Sequence, residues 1–232
     1  MGNFEKITVL VPVYNEENTL LKILEKIENT DFCGLEKEII FIDDASKDKS
    51  TEILKTLEDK YKVYYHLKNM GKGAALKTGF SKMTGDIVIV QDADLEYNPA
   101  DYKDLVQAII DDKVDVAYGS RFINLNLEAF MLPNLLGNKF ITTVFNIFFN
   151  THFTDVETCY KAFNAKFLEG VDIKSTSFDF EPEITAKMIK KKVRIQEFPI
   201  SYVGRKYHEG KKVSWVDAIH AVNAIIKFRF FN

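Results

Sequence analysis

The chain has 232 residues, 46% of them hydrophobic and 28% charged, with a formal net charge of −3. That is a globular composition without low-complexity tracts or internal repeats, and its charge leaves no footprint for nucleic acid. No apolar run approaches the ~20 residues needed to span a bilayer; the nearest, Phe140 to Phe149, is short and carries Asn146. Cys33 and Cys159 make no disulfide framework and read as reduced, buried thiols of a cytosolic protein. The four histidines show no zinc spacing, and the N-terminus has no signal-peptide core.

In chain order, "ITVLVPV" (7–13) predicts a first strand and "NTLLKILEKIEN" a helix with Leu20, Leu21, Leu24 and Ile27 on its apolar face. "EIIFID" (38–43) predicts a second strand. The helix after it takes Asp48 as its cap and Ile53, Leu54, Leu57 and Tyr61 as its stripe. "KVYYHL" is a third strand, "GKGAALKTGFSKM" a helix and "DIVIVQD" a fourth strand. "NPADYKDLVQAII" is a helix with Asn98 as cap and Pro99 in its first position, and "VDVAYGS" is a fifth strand. After Arg121 the pattern changes. The Leu- and Phe-rich stretch 127–149, broken by Pro133 and Gly137, predicts two short amphipathic helices, suited to the core or to a membrane interface. A helix near Pro182, a strand "RIQEFPISYV", a basic loop and a terminal helix "WVDAIHAVNAIIKFRF" complete the chain.

Strands alternating with helices, and strands that are nearly all apolar, imply an α/β protein with a parallel sheet covered on both faces. Ligands bind such sheets beyond the carboxyl ends of the strands. The clusters "YNEE", "DDAS", "NMGKG", "DADLE" and "GSR" each follow a strand, so all five are expected along one edge. No linker divides the chain. It reads as one domain, 1–232, with a ligand-binding half (1–121) and an added half (122–232).

The most telling cluster is "DADLE". In an extended segment residues i and i+2 point the same way, so Asp92 and Asp94 would converge on one hard cation with Glu96 nearby. Carboxylates joined by a ligand's phosphate oxygens suit Mg2+ or Mn2+. The competing reading, one capping acid and two solvated ones, is weakened because Asn98 already serves as cap. Asp43 and Asp44 sit where an acid accepts hydrogen bonds from a ribose or base, or else are turn acids. Gly71 and Gly73 around Lys72 either present N–H groups to a phosphate or simply make a turn. Neither the P-loop nor the dinucleotide fingerprint is matched. The basic loop with Arg205, Lys206, Lys211 and Lys212 is a solvated face or an anion site.

In their order, "VPVYNEENTL", "IDDASKDKS", "NMGKGAAL", "GDIVIVQDADLEYNP" and "YGSRF" resemble inverting family 2 nucleotide-sugar glycosyltransferases, within the dolichol-phosphate mannose synthase-like, polyprenyl-phosphate group. The resemblance implies a GT-A type, Rossmann-like sheet with C-terminal amphipathic helices, with 1–121 as the nucleotide-sugar-binding half and 122–232 as the acceptor-binding half. It implies that Pro12, Tyr14 and Glu16 hold base and ribose with Asp43 and Asp44 beside them, and that Lys72 lies near the nucleotide. Asp92 and Asp94 would hold Mg2+ or Mn2+ on the diphosphate, with Glu96 where the group often has Gln. Arg121, Arg205 and Lys211 would meet donor and acceptor phosphates, and Asp155 matches a carboxylate near the reacting centre. The segment directly after Arg121 holds no second arginine, only Lys139.

The implied reaction is a single displacement at the anomeric carbon of a nucleoside-diphosphate sugar, GDP-mannose or a UDP-hexose. The expected acceptor is a polyprenyl phosphate, already anionic near neutral pH and in need of cations rather than a base. The expected place is the cytoplasmic face of a membrane, by docking on its surface or on a membrane partner. The runner-up acceptor is a glycan hydroxyl, which needs a base; Asp155, Glu181 and Glu183 are the candidates. A non-catalytic nucleotide-sugar-binding protein is the reading outside enzymes, and the intact acid set argues against it.

Overall fold

The structure, a computed structural model, describes residues 4–130, 132–177, 179–204 and 215–231. Among these residues seven strands form one sheet: β1 (Lys6–Val13), β2 (Glu36–Asp43), β3 (Lys62–Tyr65), β4 (Ile87–Val90), β5 (Val116–Ser120), β6 (Lys161–Asn164) and β7 (Ile195–Pro199). Their order is β3-β2-β1-β4-β6-β5-β7. β6 runs antiparallel to both its neighbours, and every other pairing is parallel. The helices are α1 (Leu20–Glu28), α2 (Ser50–Lys55), α3 (Lys72–Lys82), α4 (Tyr102–Ile110), α5 (Leu132–Phe149), α6 (Phe180–Lys190) and α7 (Trp215–Phe230).

The central strands are apolar on both faces because both faces are covered. Ile7, Val9 and Val11 pack with Leu20 and Ile23 of α1 and with Leu105 and Ile109 of α4. Leu10, Ile40 and Val88 pack on the other face with Leu76 of α3 and Ile184 of α6. A third cluster joins α5, α6 and α7 through Phe145, Ala186, Ile225 and Phe228. The expected mostly parallel sheet with helices on both faces, extended by C-terminal helices, is therefore what the chain forms.

The differences in detail have physical reasons. On α1 the buried face is Leu20, Ile23, Leu24 and Ile27. Leu21 instead is 52% exposed. α2 stops at Lys55, and Leu57 and Tyr61 reach the core from the turns that follow. The stretch around Pro133 and Gly137 is one helix of 18 residues, α5, rather than two. Pro133 lies in its first turn, where the missing N–H would have had no intrahelical partner. β6 was not predicted; "KAFN" is too short to show a period. Both cysteines are free and partly rather than fully buried.

Because the chain steps from β1 to β2 and β3 on one side and then returns through α3 to β4 on the other, the switch point lies between β1 and β4. Their pairing ends at Leu10↔Val90, while β1 continues beside β2 to Val13↔Asp43. The Leu10 carbonyl faces β4, since it accepts from Gln91 N–H. Pro12, two residues on, faces the same way, so its absent N–H falls where β1 has lost that neighbour. The two strands part there, which opens the crevice where such sheets bind ligands.

Candidate active site

All five clusters stand on the expected edge, because β1 to β5 all point their carboxyl ends that way. β7 ends there too, and the antiparallel β6 starts there, so residues 154–160 arrive at the same edge from the second half of the chain. The chain turns sharply at three of these ends. Asn15, Ala45 and Leu95 have φ of 58°, 58° and 65°. Such values are uncommon for residues other than glycine and cluster at functional loops.

The first two clusters are laced together. Asn15 N–H donates to Ser46 Oγ at 3.1 Å, and Lys47 N–H donates to Asn15 Oδ1 at 2.7 Å. Glu16 N–H donates to Ser50 Oγ, and the Glu16 carboxylate accepts from the Thr19 hydroxyl. Asp48 accepts from Ser50 N–H at 2.9 Å, but the N-cap of α2 is Lys49, one residue on, and no side chain caps it. Pro12 and Tyr14 flank the crevice at half-buried positions. Asp43 and Asp44 are both buried. Asp43 accepts from Ser46 N–H and the Thr51 hydroxyl. Asp44 accepts from His66 Nδ1 at 2.7 Å, Met70 N–H at 2.9 Å and Gly71 N–H at 2.7 Å, which ties β2 to the loop before α3.

That loop decides between the two glycine readings. A Cβ on Gly71, whose φ is +88°, would lie 1.9 Å from the Thr176 carbonyl oxygen. Gly73 N–H donates to the same carbonyl. The glycines thus allow a close approach of the 175–176 segment, and their N–H groups are used inside the protein. Lys72 between them points into the site. Its Nζ is 2.9 Å and 3.0 Å from the two carboxylate oxygens of Asp92, 3.0 Å from Glu181 Oε1 and 2.9 Å from Cys159 Sγ. Burial alone would lower the Lys72 ammonium, but Asp92, Cys159 and Glu181 outweigh it and hold it well above the usual lysine value. Burial, then Asp92, pushes the Cys159 thiol well up.

The segment "DADLE" is a turn, not the extended run expected. Asp94 Oδ1 accepts from Glu96 N–H at 3.1 Å, and Leu95 carries the positive φ. Glu96 accepts from the Tyr202 hydroxyl at 2.8 Å, and its carbonyl accepts from Val203 N–H. Beneath the turn, buried Gln91 accepts from the hydroxyls of Tyr102 and Tyr160, and Tyr97 stacks on Tyr160 at 4.7 Å. Among the described residues no three His, Cys, Asp or Glu side chains form a group that could hold a metal unaided. The expected trio is therefore not gathered. Asp92 and Asp94 still supply hard oxygen donors beside the crevice, a set that fits Mg2+ or Mn2+ completed by diphosphate oxygens. The Lys72 ammonium already balances the charge of Asp92.

Across the crevice, Arg121 is 7% exposed and Asp155 is 0% exposed. Arg121 Nε and Nη2 each donate to Asp155 at 2.7 Å, and Arg121 N–H donates to it at 3.1 Å. The guanidinium also lies over the Tyr202 ring, 5.2 Å from its centroid. A cleft of about 250 Å³ opens beside it, lined by Asn124, Asn126, Phe130, Ser201 and Tyr202 among others. Arg205 and Lys211, like Lys206 and Lys212, lie outside the described residues.

Sequence reasoning missed Cys159, Glu157 and Tyr202 as members of this site. Position was the signal available: Glu157 and Cys159 fall at i+2 and i+4 from Asp155, just before a strand.

The sequence profile described as "Glycosyl transferase family 2" matches residues 8–171, well over half of the chain. The chain is 26% identical, over 97% of its length and 93% of the relative's, to the UDP-N-acetylglucosamine–dolichyl-phosphate N-acetylglucosaminyltransferase of Methanococcus voltae. It is 37% identical to the dolichol-phosphate mannosyltransferase of Pyrococcus furiosus, over 51% of this chain and 34% of that protein. Among solved structures, glucosyl-3-phosphoglycerate synthase from Mycobacterium tuberculosis, in complex with Mn2+, uridine diphosphate and phosphoglyceric acid, superposes with a TM-score of 0.74. That match covers 98% of this chain and 80% of that one at 14% identity, so it speaks for the GT-A fold alone. The profile runs from β1 past β6 and takes in all five strand-end clusters, Asp155 and Cys159. With fold, order of motifs and profile in agreement, the chain belongs to glycosyl transferase family 2.

Proposed function

We propose that the protein moves a sugar from a nucleoside-diphosphate sugar to a polyprenyl phosphate. The observation that carries this reading is the pairing of two cationic stations across one crevice. Lys72 stands with Asp92 at the end of β4, and Arg121 stands at the end of β5. Each cation is already paired with a carboxylate, so a donor diphosphate would meet the first station together with a divalent cation, and an acceptor phosphate would meet the N–H bonds of Arg121 not spent on Asp155. Pro12, Tyr14, Glu16, Asp43 and Asp44 border the space left for base and ribose. A divalent cation held by Asp92 and Asp94, when bound, supplies Lewis-acid stabilisation of the leaving diphosphate. Glu96 is tied to the Tyr202 hydroxyl.

The carboxylates support this acceptor. Asp155 is closed on Arg121, and Glu181 meets Lys72. Glu183 accepts from the N–H groups of Lys174 and Ser175 and from Lys187 Nζ. Each base candidate named from sequence is committed to a cation or to N–H donors. A phosphate monoester, with its second pKa near 6, needs no base at neutral pH. The two relatives quoted act, by their names, on dolichyl phosphate, which agrees with this choice.

A lipid acceptor requires a way to reach a bilayer. No helix among the described residues is long and apolar enough to cross one. Leu132, Leu136, Phe140 and Ile147 are 58–73% exposed along α5. At 100° per residue they share roughly a quarter of its circumference, with Lys139 at the edge of the stripe. That stripe suits peripheral docking on a membrane surface. To test the function, labelled nucleotide-sugars with Mn2+ are offered polyprenyl phosphate or sugar acceptors. Label is expected in the lipid phase; label entering an oligosaccharide alone would defeat the lipid reading.

A further inference from the structure

One carboxyl oxygen at the ligand edge has no hydrogen-bond partner among the described residues. The Oε1 atom of Glu157 is buried and makes no hydrogen bond among the described residues. Leaving such an atom unsatisfied is costly, and native structures keep few of them without a use. The backbone around it is the opposite case. Lys161, 1% exposed, aims its ammonium at the carbonyls of Val156 and Thr158, on either side of Glu157. The same ammonium sits 4.7 Å from the Tyr118 ring centroid. Val156 N–H donates to Thr142 Oγ1, and Asp155 N–H donates to Glu197 at 2.8 Å. The chain is clamped at both flanks of a side chain that is left open.

The charged groups that act on Glu157 are Glu181, Lys161, Arg121 and Asp155. All but Lys161 belong to the two stations, since Glu181 is bound to Lys72 and Asp155 to Arg121. Burial first, then the charge of Glu181, pushes its carboxyl up to about 8. At neutral pH it carries a proton and both donates and accepts.

We propose that Glu157 reads the sugar, by hydrogen bonding a hydroxyl of the hexose carried by the donor. This rests on the reading of the crevice as a nucleotide-sugar site. Between a diphosphate at Lys72 and a phosphate at Arg121 the group in transit is the sugar, which is neutral and rich in hydroxyls. A hydroxyl satisfies the orphaned oxygen without adding charge. A phosphate placed there would bring a further negative charge against Glu181 and Asp155. Glu157 is thus a specificity residue, and the acid–base chemistry of the transfer does not pass through it.

The test is calorimetric titration, with Mn2+, of a nucleoside diphosphate and of the matching nucleoside-diphosphate hexose. Wild type, Glu157→Gln and Glu157→Ala are compared, with melting curves to verify folding. The readout is the affinity that the sugar adds. Glu157→Ala is expected to cut that gain by about 10-fold, the usual weight of one buried hydrogen bond, and to leave the affinity for the diphosphate unchanged. Glu157→Gln, which also donates and accepts, keeps most of it. In wild type the gain falls as pH rises through about 8, and in Glu157→Gln it stays flat. A donor lacking the contacted hydroxyl binds wild type and Glu157→Ala alike. If Glu157→Ala is too unstable to use, the pH series and the deoxy donors decide on wild type and Glu157→Gln. An unchanged sugar gain in Glu157→Ala, or an equal penalty for every deoxy donor, overturns the inference. So does a Glu157→Gln enzyme that binds normally and loses turnover, which would make Glu157 a base. If wild type fails to bind the nucleoside diphosphate, the donor-site reading itself fails, and that result is read separately.

Discussion

Arg121 grips Asp155 through two 2.7 Å hydrogen bonds from its side chain and a third from its own backbone, all out of solvent. Two of the five N–H bonds of the guanidinium fork are thereby spent on one carboxylate. Removing one partner of a buried pair strands the other charge, at a typical cost of about 3–5 kcal/mol. Asp155→Asn is therefore expected to lower the unfolding free energy, read from urea curves, by an amount in that range. Were Asp155 a general base instead, the variant would keep its midpoint and lose only turnover.

Lys72 gathers Asp92, Glu181 and Cys159 around one ammonium. Lys72→Met removes the cation proposed to face the donor phosphates. A loss on the order of 100-fold in kcat/KM is expected, typical of one electrostatic donor in a dry site. Release of nucleoside diphosphate from a nucleotide-sugar measures it. A change under threefold would move Lys72 out of the donor site.

Asp94→Asn is expected to abolish turnover if a divalent cation rests on Asp92 and Asp94. A chelator should silence the wild-type enzyme, and added Mn2+ should restore it. Activity that persists in both experiments would remove the metal from the proposal.

Glu38 sits at the other end of the sheet, away from the site. Burial would raise its carboxyl, but Lys62, Thr8 and Thr84 outweigh burial and hold it down at about 2. Its folded pKa lies below the unfolded value, so its stabilisation is complete above about pH 4.5. It is lost as pH falls through about 2. Lys62 is half exposed, so solvent screening limits the amount to about 2 kcal/mol. Urea midpoints between pH 5 and 2 should fall less steeply in Glu38→Gln than in wild type, with no change in nucleotide affinity.

On α5, Phe140→Glu with Ile147→Glu should abolish sedimentation with anionic vesicles and leave the melting temperature within about 2 °C. Both side chains are more than half exposed, so little packing is lost. Retained vesicle binding would point to another surface or to a partner.

The sheet and its ligand edge were legible because each parallel strand is a short apolar run closed by a polar cluster. What local pattern could not show was pairing across distance. β6 has four residues and no period, and it owes its place to β4 and β5 on either side. Pro133 reads as a breaker to any local rule, yet the first turn of α5 accepts it without loss. The turn at Leu95 depends on Tyr202 and Val203, more than 100 residues later, so "DADLE" looked extended. Asp155 was found, but that it is spent on Arg121 is a fact of the fold. Glu157 escaped notice because an acid before a strand looks like any other until its surroundings are known.

β6 also bears on how such a chain can be cut or recombined. It comes from residues 161–164 yet lies between β4 and β5, both from the first 120 residues. A fragment ending at Arg121 would carry a slot one strand wide through the middle of its sheet. The two halves are thus interleaved threads rather than modules. Exchanging acceptor specificity with a relative by swapping everything after Arg121 would also transplant a central strand, so the graft must match at the core before it can matter at the surface.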